Sequence, residues 1–229
     1  DSQGQKMSKS KGNVIDPLIM LEKFGTDAFR FTLAAFAAQG RDIRFSDERV
    51  EGYRHFVNKL WNAARFIIMN LGSTSEEQKP KVTMGNPLSI PDPSLSNLPG
   101  RWIMSRLAAA ADEVNSALEE YRFNDAASSI YQFIWHEFCD WYIEMSKHSL
   151  YGKDEDKTGT LSCLLHVLET SLRLLHPFMP FVTEEVWQTI KAYLQRDEKS
   201  ISVSPYPVSL PRDHQAEEEM GYVMEAVVG

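Results

Sequence analysis

The stretch Ser46-Asp47-Glu48-Arg49-Val50-Glu51-Gly52-Tyr53-Arg54-His55-Phe56-Val57-Asn58-Lys59-Leu60-Trp61-Asn62-Ala63-Ala64-Arg65-Phe66-Ile67-Ile68-Met69-Asn70-Leu71 reads as one long helix. Its acidic residues fall in the first turn, where the helix dipole favours negative charge. Projected at about 100° per residue, Val50, Tyr53, Val57, Leu60, Ala64, Ile67, Ile68 and Leu71 gather on the side that an amphipathic helix buries. The opposite side collects Arg54, Asn58, Asn62 and Arg65 as one polar stripe. Arginine and asparagine read base edges and grip phosphates, and Trp61 and Phe66 flank the stripe with ring faces suited to unpaired bases. Trp61 lies nearer the apolar side, so Phe66, next to Arg65, is the stacking candidate. The same pattern also fits a solvated face or interhelix hydrogen bonding, with both aromatics in the core.

Shorter helices precede this one. Asp16 as N-cap, Pro17 at the first position and Gly25 past the end bound one of them. Thr26 then caps a second, in which Ala28, Phe31, Leu33, Ala34, Ala35 and Ala37 run to a break at Gly40, with small side chains on several faces for close packing. After it, residues 72–99 turn to Ser, Gly, Asn and Pro, a connector expected to cross the bundle surface or to be partly disordered.

Three more long helices follow. Ile103, Leu107, Ala110, Val114, Leu118 and Tyr121 mark the first, over about residues 100–121. The second starts at Asn124-Asp125 and carries an aromatic core stripe of Tyr131, Ile134, Phe138, Trp141, Tyr142 and Met145. Leu161, Leu164, Leu165, Leu168, Leu172 and Leu175 mark the third, ended by the two prolines of His176-Pro177-Phe178-Met179-Pro180. Thr183-Glu184-Glu185 restarts a helix, the alternation Ile201-Ser202-Val203-Ser204 fits a short strand, and a last amphipathic segment begins at Glu217. The whole is an all-α bundle.

With 229 residues, 43% of them hydrophobic, the chain holds one large domain or two small ones. It contains neither a run long enough to span a membrane nor a signal peptide, so a cytoplasmic protein is expected. Cys139 and Cys163 lack metal or redox spacing and read as buried reduced thiols. His136-Glu137 shares the first half of H-E-x-x-H, but Asp140 stands at the fifth position, so no metal site is expected. Asp140 and Glu144 read as surface or capping charges. The net charge of −8 disfavours a polyanionic partner as an average, yet residues 1–71 carry 11 Lys/Arg against 8 Asp/Glu, or +3, and the remainder 13 against 24, or −11. A nucleic acid should therefore meet the N-terminal third.

That third opens with Lys6-Met7-Ser8-Lys9-Ser10-Lys11-Gly12-Asn13. Ammonium and hydroxyl donors on a short strip suit a polyphosphate, although a solvated tail would have the same composition, and the order of residues is not that of a Walker loop. The strip closely resembles the K-M-S-K-S signature of class I aminoacyl-tRNA synthetases, and the similarity continues through Gly12-Asn13-Val14-Ile15-Asp16-Pro17 and Gly25-Thr26-Asp27-Ala28-Phe29-Arg30-Phe31. It extends over essentially the whole chain, and Gln39-Gly40-Arg41-Asp42-Ile43-Arg44 leading into the long helix is similar to the valyl type.

The resemblance implies that Lys6, Ser8, Lys9 and Ser10 bind ATP, with Lys6 and Lys9 catalytic because they meet the charge that accumulates on leaving pyrophosphate. It implies a K-M-S-K-S loop and stem-contact segment over residues 1–45, an anticodon-binding helical bundle over 46–212, and the start of a truncated C-terminal segment over 213–229. Anticodon-arm contacts are implied for the long helix, hence for Arg54, Asn58, Asn62, Arg65 and Phe66. Arg41, Arg44 and Arg49 are candidates for the phosphate backbone. The implied partners are a valine tRNA and the remainder of the synthetase, for a monomer with no membrane contact. ATP with Mg2+ would serve the intact enzyme, but none is expected to stay bound to this fragment, whose K-M-S-K-S strip is expected to be exposed and mobile. The H-I-G-H half, amino-acid pocket and editing domain of that family have no counterpart in these residues, so the fragment is expected not to activate valine alone. An isoleucyl-type fragment or a non-enzymatic helical docking module are the alternatives.

Overall fold

The computed structural model of the chain describes residues 5–11, 13–38, 45–73, 97–152, 157–194, 197–208 and 211–228. Among them every regular element is helical, in agreement with the all-α expectation: α1 (Pro17–Phe24), α2 (Thr26–Phe36), α3 (Asp47–Gly72), α4 (Leu98–Glu119), α5 (Phe123–Gln132), a π-helix (Phe133–Tyr142), α6 (Ile143–Tyr151), α7 (Lys157–Leu175), α8 (Pro180–Ile190) and α9 (His214–Val228). Most of the connector lies outside the described residues, as do Arg41 and Arg44.

A helix buried on every side belongs in the middle of a bundle, and α7 is that helix. From Cys163 to Leu175 every residue is buried, with α3, α4, α5, α6 and α8 packed around it. Two of these buried residues are charged. Arg173 donates to Glu169 at 2.7 Å and to the Pro205 carbonyl at 2.7 Å, and the Trp187 indole donates to the other Glu169 oxygen at 3.4 Å. Tyr206 donates to the Leu174 carbonyl at 3.1 Å, so the segment after α8 is strapped along α7.

α4 carries a buried run of small side chains, Ala108, Ala109, Ala110 and Ala111, that points all round the helix and lets α5, α7, α9 and the π-helix approach it closely, and α5 adds the buried Ala126 and Ala127. Asn97 caps α4 by accepting from the Gly100 amide at 3.0 Å. A smaller second core, formed by Met20, Phe24, Ala28, Phe45 and Val50, lies under α1, α2 and the start of α3. The first two helices meet at Gly25, whose φ of 88° and ψ of 153° suit only a residue without a Cβ.

Several boundaries differ from the periodicity reading, each for a local reason. Asp16 caps α1 as expected, accepting from the Leu18 amide at 2.9 Å. Thr26 does not cap α2: Gly25 holds the cap position, and no side chain bonds there. α8 starts at Pro180 rather than Thr183, since Pro is at ease in a first turn. Ile201-Ser202-Val203 is a single 3-10 turn, not a strand. The Glu184 carboxylate accepts from the Ile201 amide at 3.2 Å and from the Ser200 hydroxyl at 2.7 Å, which closes the backbone into a turn. The aromatic stripe expected on one continuous α-helix is interrupted by the π-helix.

α9 starts at His214, earlier than expected, and docks on α4 through charges. Arg101 pairs with Asp213 at 2.8 Å, Arg106 lies 3.6 Å from Glu217 and Ser105 hydrogen-bonds the Glu217 carboxylate, while Arg212, just before α9, pairs with Glu217 at 2.8 Å from the α9 side. Burial pushes Glu217 up, but hydrogen bonds from Arg212 and Ser105 and the nearby guanidinium charges outweigh it and hold the carboxyl below its ordinary value. Asp213 is lowered chiefly by the Ala216 amide and also by Arg101. A carboxyl depressed in the folded state binds fewer protons there than in the unfolded state, so its contribution is complete above about pH 4 and is lost as pH falls through the folded values. Amide exchange in α9 should therefore accelerate ahead of α7 below about pH 4. Parallel acid profiles for the two helices would contradict this account of the docking.

Candidate nucleic-acid interface

Helical winding alone places Arg54, Asn58, Asn62 and Arg65 on one side of α3, and tertiary packing leaves that side uncovered. All four side chains are exposed, and none is engaged in a hydrogen bond or ion pair with a described residue. The expected apolar face is inward: Val50, Leu60, Ala64, Ile67 and Leu71 are buried, joined by Phe56 and Ala63, which extend the buried arc further round the helix.

The two flanking aromatics are exchanged relative to expectation. Trp61 is 47% exposed, whereas Phe66 is half-buried and packs against the main core. The Phe66 side faces the π-helix and α6, as the ion pair from Lys59 to Asp140 and the 3.3 Å hydrogen bond from Asn70 to the Tyr151 hydroxyl show. Trp61 is thus the ring available to stack on a base, and its position at the boundary of the two faces was the only signal in the sequence. Arg49, in the first turn of α3, is exposed with its guanidinium 4.3 Å from the Phe36 ring centroid.

The roll of α3 about its own axis determines which side chains face outward, and the π-helix grips it. Lys59 meets Asp140 at 2.5 Å, with its ammonium 4.1 Å from the Trp135 ring centroid. On the other flank Glu137 receives both ends of the Arg106 guanidinium from α4, at 2.8 and 2.9 Å. On an α-helix, carboxylates three residues apart stand side by side. The wider winding of a π-helix separates Glu137 from Asp140 far enough to hold α4 and α3 at once. Asp140 also lies 3.2 Å from the His136 ring, while Glu144 pairs with Lys147 at 2.7 Å, so the two carboxylates read as surface charges are both tied in ion pairs. Cys139, in the same π-helix, has its thiol pushed up to about 12 by burial, against an opposing charge from Lys59. It is therefore protonated and inert.

The Lys/Ser strip adopts a local turn. The Ser8 amide donates to the Asn13 side chain at 2.9 Å, the Asn13 amide group returns to the Lys6 carbonyl at 3.4 Å, and Lys11 closes on the Ser8 carbonyl at 3.1 Å. Lys9 begins the short 3-10 turn Lys9–Lys11. Lys6, Ser10 and Lys11 are exposed and Ser8 is half-buried, its hydroxyl 3.2 Å from that of Ser10. Ammonium and hydroxyl donors thus share one small turn open to solvent, a form that fits an anionic polyphosphate. Among the described residues no helix is long and apolar enough to cross a membrane.

Residues 1–46 match the family model for class I tRNA synthetases (I, L, M and V), and residues 100–228 match that for the anticodon-binding domain of tRNA ligase. α3 falls between the two matched segments. Over 232 residues the chain is 55% identical to the valine–tRNA ligase of Geobacter sulfurreducens and 53% identical to that of Syntrophotalea carbinolica, covering 100% of this chain but 25% and 24% of theirs. The valine–tRNA ligase of Aquifex aeolicus is 43% identical over 219 residues, with 90% of this chain and 18% of that protein covered. The chain spans about a quarter of the length of the first two relatives. Its fold is also that of a chain in the ternary complex of Agrobacterium radiobacter K84 LeuRS with tRNA and LeuAMS, at a TM-score of 0.64 and 24% identity over 95% of this chain and 23% of that one. With more than half of its length inside the second family match, the chain belongs to the anticodon-binding domain family of tRNA ligases, here joined to a class I tRNA synthetase segment.

Proposed function

We propose that this chain is the part of a valine–tRNA ligase that holds the anticodon arm of a valine tRNA against α3, while its N-terminal strip serves ATP-dependent activation of valine in the whole enzyme. The observation that carries the reading is the uncommitted row Arg54, Asn58, Asn62 and Arg65, exposed beside Trp61 on the N-terminal third of an otherwise acidic chain. Free guanidinium and amide groups next to an open indole are what unpaired bases and their phosphates require. Arg41 and Arg44, before α3 in the sequence, and Arg49 in its first turn are the cations assigned to the phosphate backbone. Phe66, half-buried across the polar row from Trp61, offers the smaller ring surface to a base.

In the whole enzyme Lys6, Ser8, Lys9 and Ser10 bind ATP with its Mg2+, and Lys6 and Lys9 offset charge building on the pyrophosphate as it leaves. Met7, Val14, Leu18 and Ile19 are exposed apolar side chains beside this strip, a surface suited to the remainder of the synthetase. The protein so assembled is a cytoplasmic monomer.

The test is binding of the chain to a valine tRNA transcript at low salt, with anticodon-substituted and isoleucine transcripts as competitors. Each anticodon substitution should weaken binding by about 1–3 kcal/mol. Absence of binding, or affinity indifferent to the anticodon, would remove the reading, and preference for the isoleucine transcript would reassign the specificity.

A further inference from the structure

We infer that Asp27 is a positioning residue, whose carboxylate, set into the open N-terminus of α8, fixes the orientation of the K-M-S-K-S segment on the tRNA-binding bundle. The inference rests on the function proposed above for strip and bundle. Helix starts leave backbone amides without intrahelical partners, and α8 has no capping side chain of its own, because Met179 holds its cap position. Asp27 supplies the missing acceptors from α2, taking the Phe181 amide at 3.2 Å and the Val182 amide at 2.6 Å. It is 7% exposed, so its charge faces the positive end of α8 with little solvent screening.

Two neighbours on α2 grip the turn leading into α8. Arg30 donates to the Pro177 carbonyl at 3.2 Å, and the Phe31 ring stands edge-on to Phe178 with centroids 6.1 Å apart. Three residues within five positions thus hold one turn, which sets both the roll and the register of α2. From α2 the constraint passes to α1 through the Gly25 junction and the small second core, supported by Lys23 on Asp47 at 2.7 Å. It reaches the strip through Asn13, three residues before the α1 cap. The segment matched to class I synthetases is in this way pinned to the segment matched to the anticodon-binding family, and Asp27 is the buried charged member of the pin.

The experiment compares Asp27→Ala and Asp27→Asn with the parent chain, each carrying nitroxide labels on Val14→Cys, next to the strip, and Ser116→Cys, on the exposed side of α4. Double electron–electron resonance reads the separation. Val186→Ala, a cavity in α8 one turn beyond the latched amides, controls for stability loss alone. The parent and Val186→Ala should share one narrow distance distribution, while Asp27→Ala broadens and shifts it and Asp27→Asn, which retains one acceptor, lies between. Distributions for both Asp27 variants that coincide with Val186→Ala would overturn the inference. Should Asp27→Ala not fold, the Asn variant carries the readout with the same two outcomes. Transcript binding by the parent chain, measured alongside, reports separately on the proposed function.

Discussion

Replacing Arg173 with Met is expected to destabilise the bundle by about 3–5 kcal/mol. Glu169 is fully buried in α7, and Arg173 together with the Trp187 indole satisfies it. With the guanidinium gone, a fully buried carboxylate loses the ion pair that offsets its removal from water. The Pro205 carbonyl loses its donor as well. The interaction is expensive to break without being a strong source of stability, because two charges were removed from water to form it. The double exchange Glu169→Leu with Arg173→Met should therefore recover most of the loss. Urea unfolding monitored by circular dichroism measures both, and a loss below about 1 kcal/mol for the single variant would show that Glu169 finds other partners.

The second large effect concerns binding. Arg54→Ala and Arg65→Ala should each lower affinity for the tRNA by about 1–3 kcal/mol, and Trp61→Ala by a similar amount if the indole stacks on a base. Folding stability should stay within about 0.5 kcal/mol of the parent for the two arginine variants, since these side chains are exposed and tied to no described residue. Salt dependence divides the roles. A lost phosphate contact flattens the slope of log affinity against log salt by about 0.7–1 and weakens all sequences alike, whereas a lost base contact relaxes anticodon preference at an unchanged slope. Four stripe variants, Asn58→Ala and Asn62→Ala included, that all bind like the parent would leave α3 without this role.

How far the site could be read in advance differs from residue to residue. Arg54, Asn58, Asn62 and Arg65 were legible as one face because their spacing follows the winding of a single helix. The exchange of Trp61 and Phe66 was not. Periodicity gives the direction of a side chain, but whether another helix lies in that direction depends on α6 and the π-helix, some 70 or more positions later in the chain. The π-helix was invisible for a related reason. Its aromatic run satisfies α-helical spacing almost as well, and the two carboxylates that use the wider winding grip α3 and α4, neither of which is a sequence neighbour.

Asp27 shows the same division at its sharpest. In the sequence it is an acidic residue in the first turn of a helix, a position that the local dipole explains by itself. In the structure its carboxylate is spent on amides 154 and 155 positions away. The sequence by itself determined the all-α class, the run of helices, the location of the Lys/Ser strip and the face of α3 that carries the polar row, since each follows from spacing, capping and residue chemistry over a few turns. Only the tertiary structure decided which aromatic is open to a base, what sets the roll of α3 and how the strip-bearing segment is pinned to the bundle, because those depend on which distant surfaces the packed helices bring into contact.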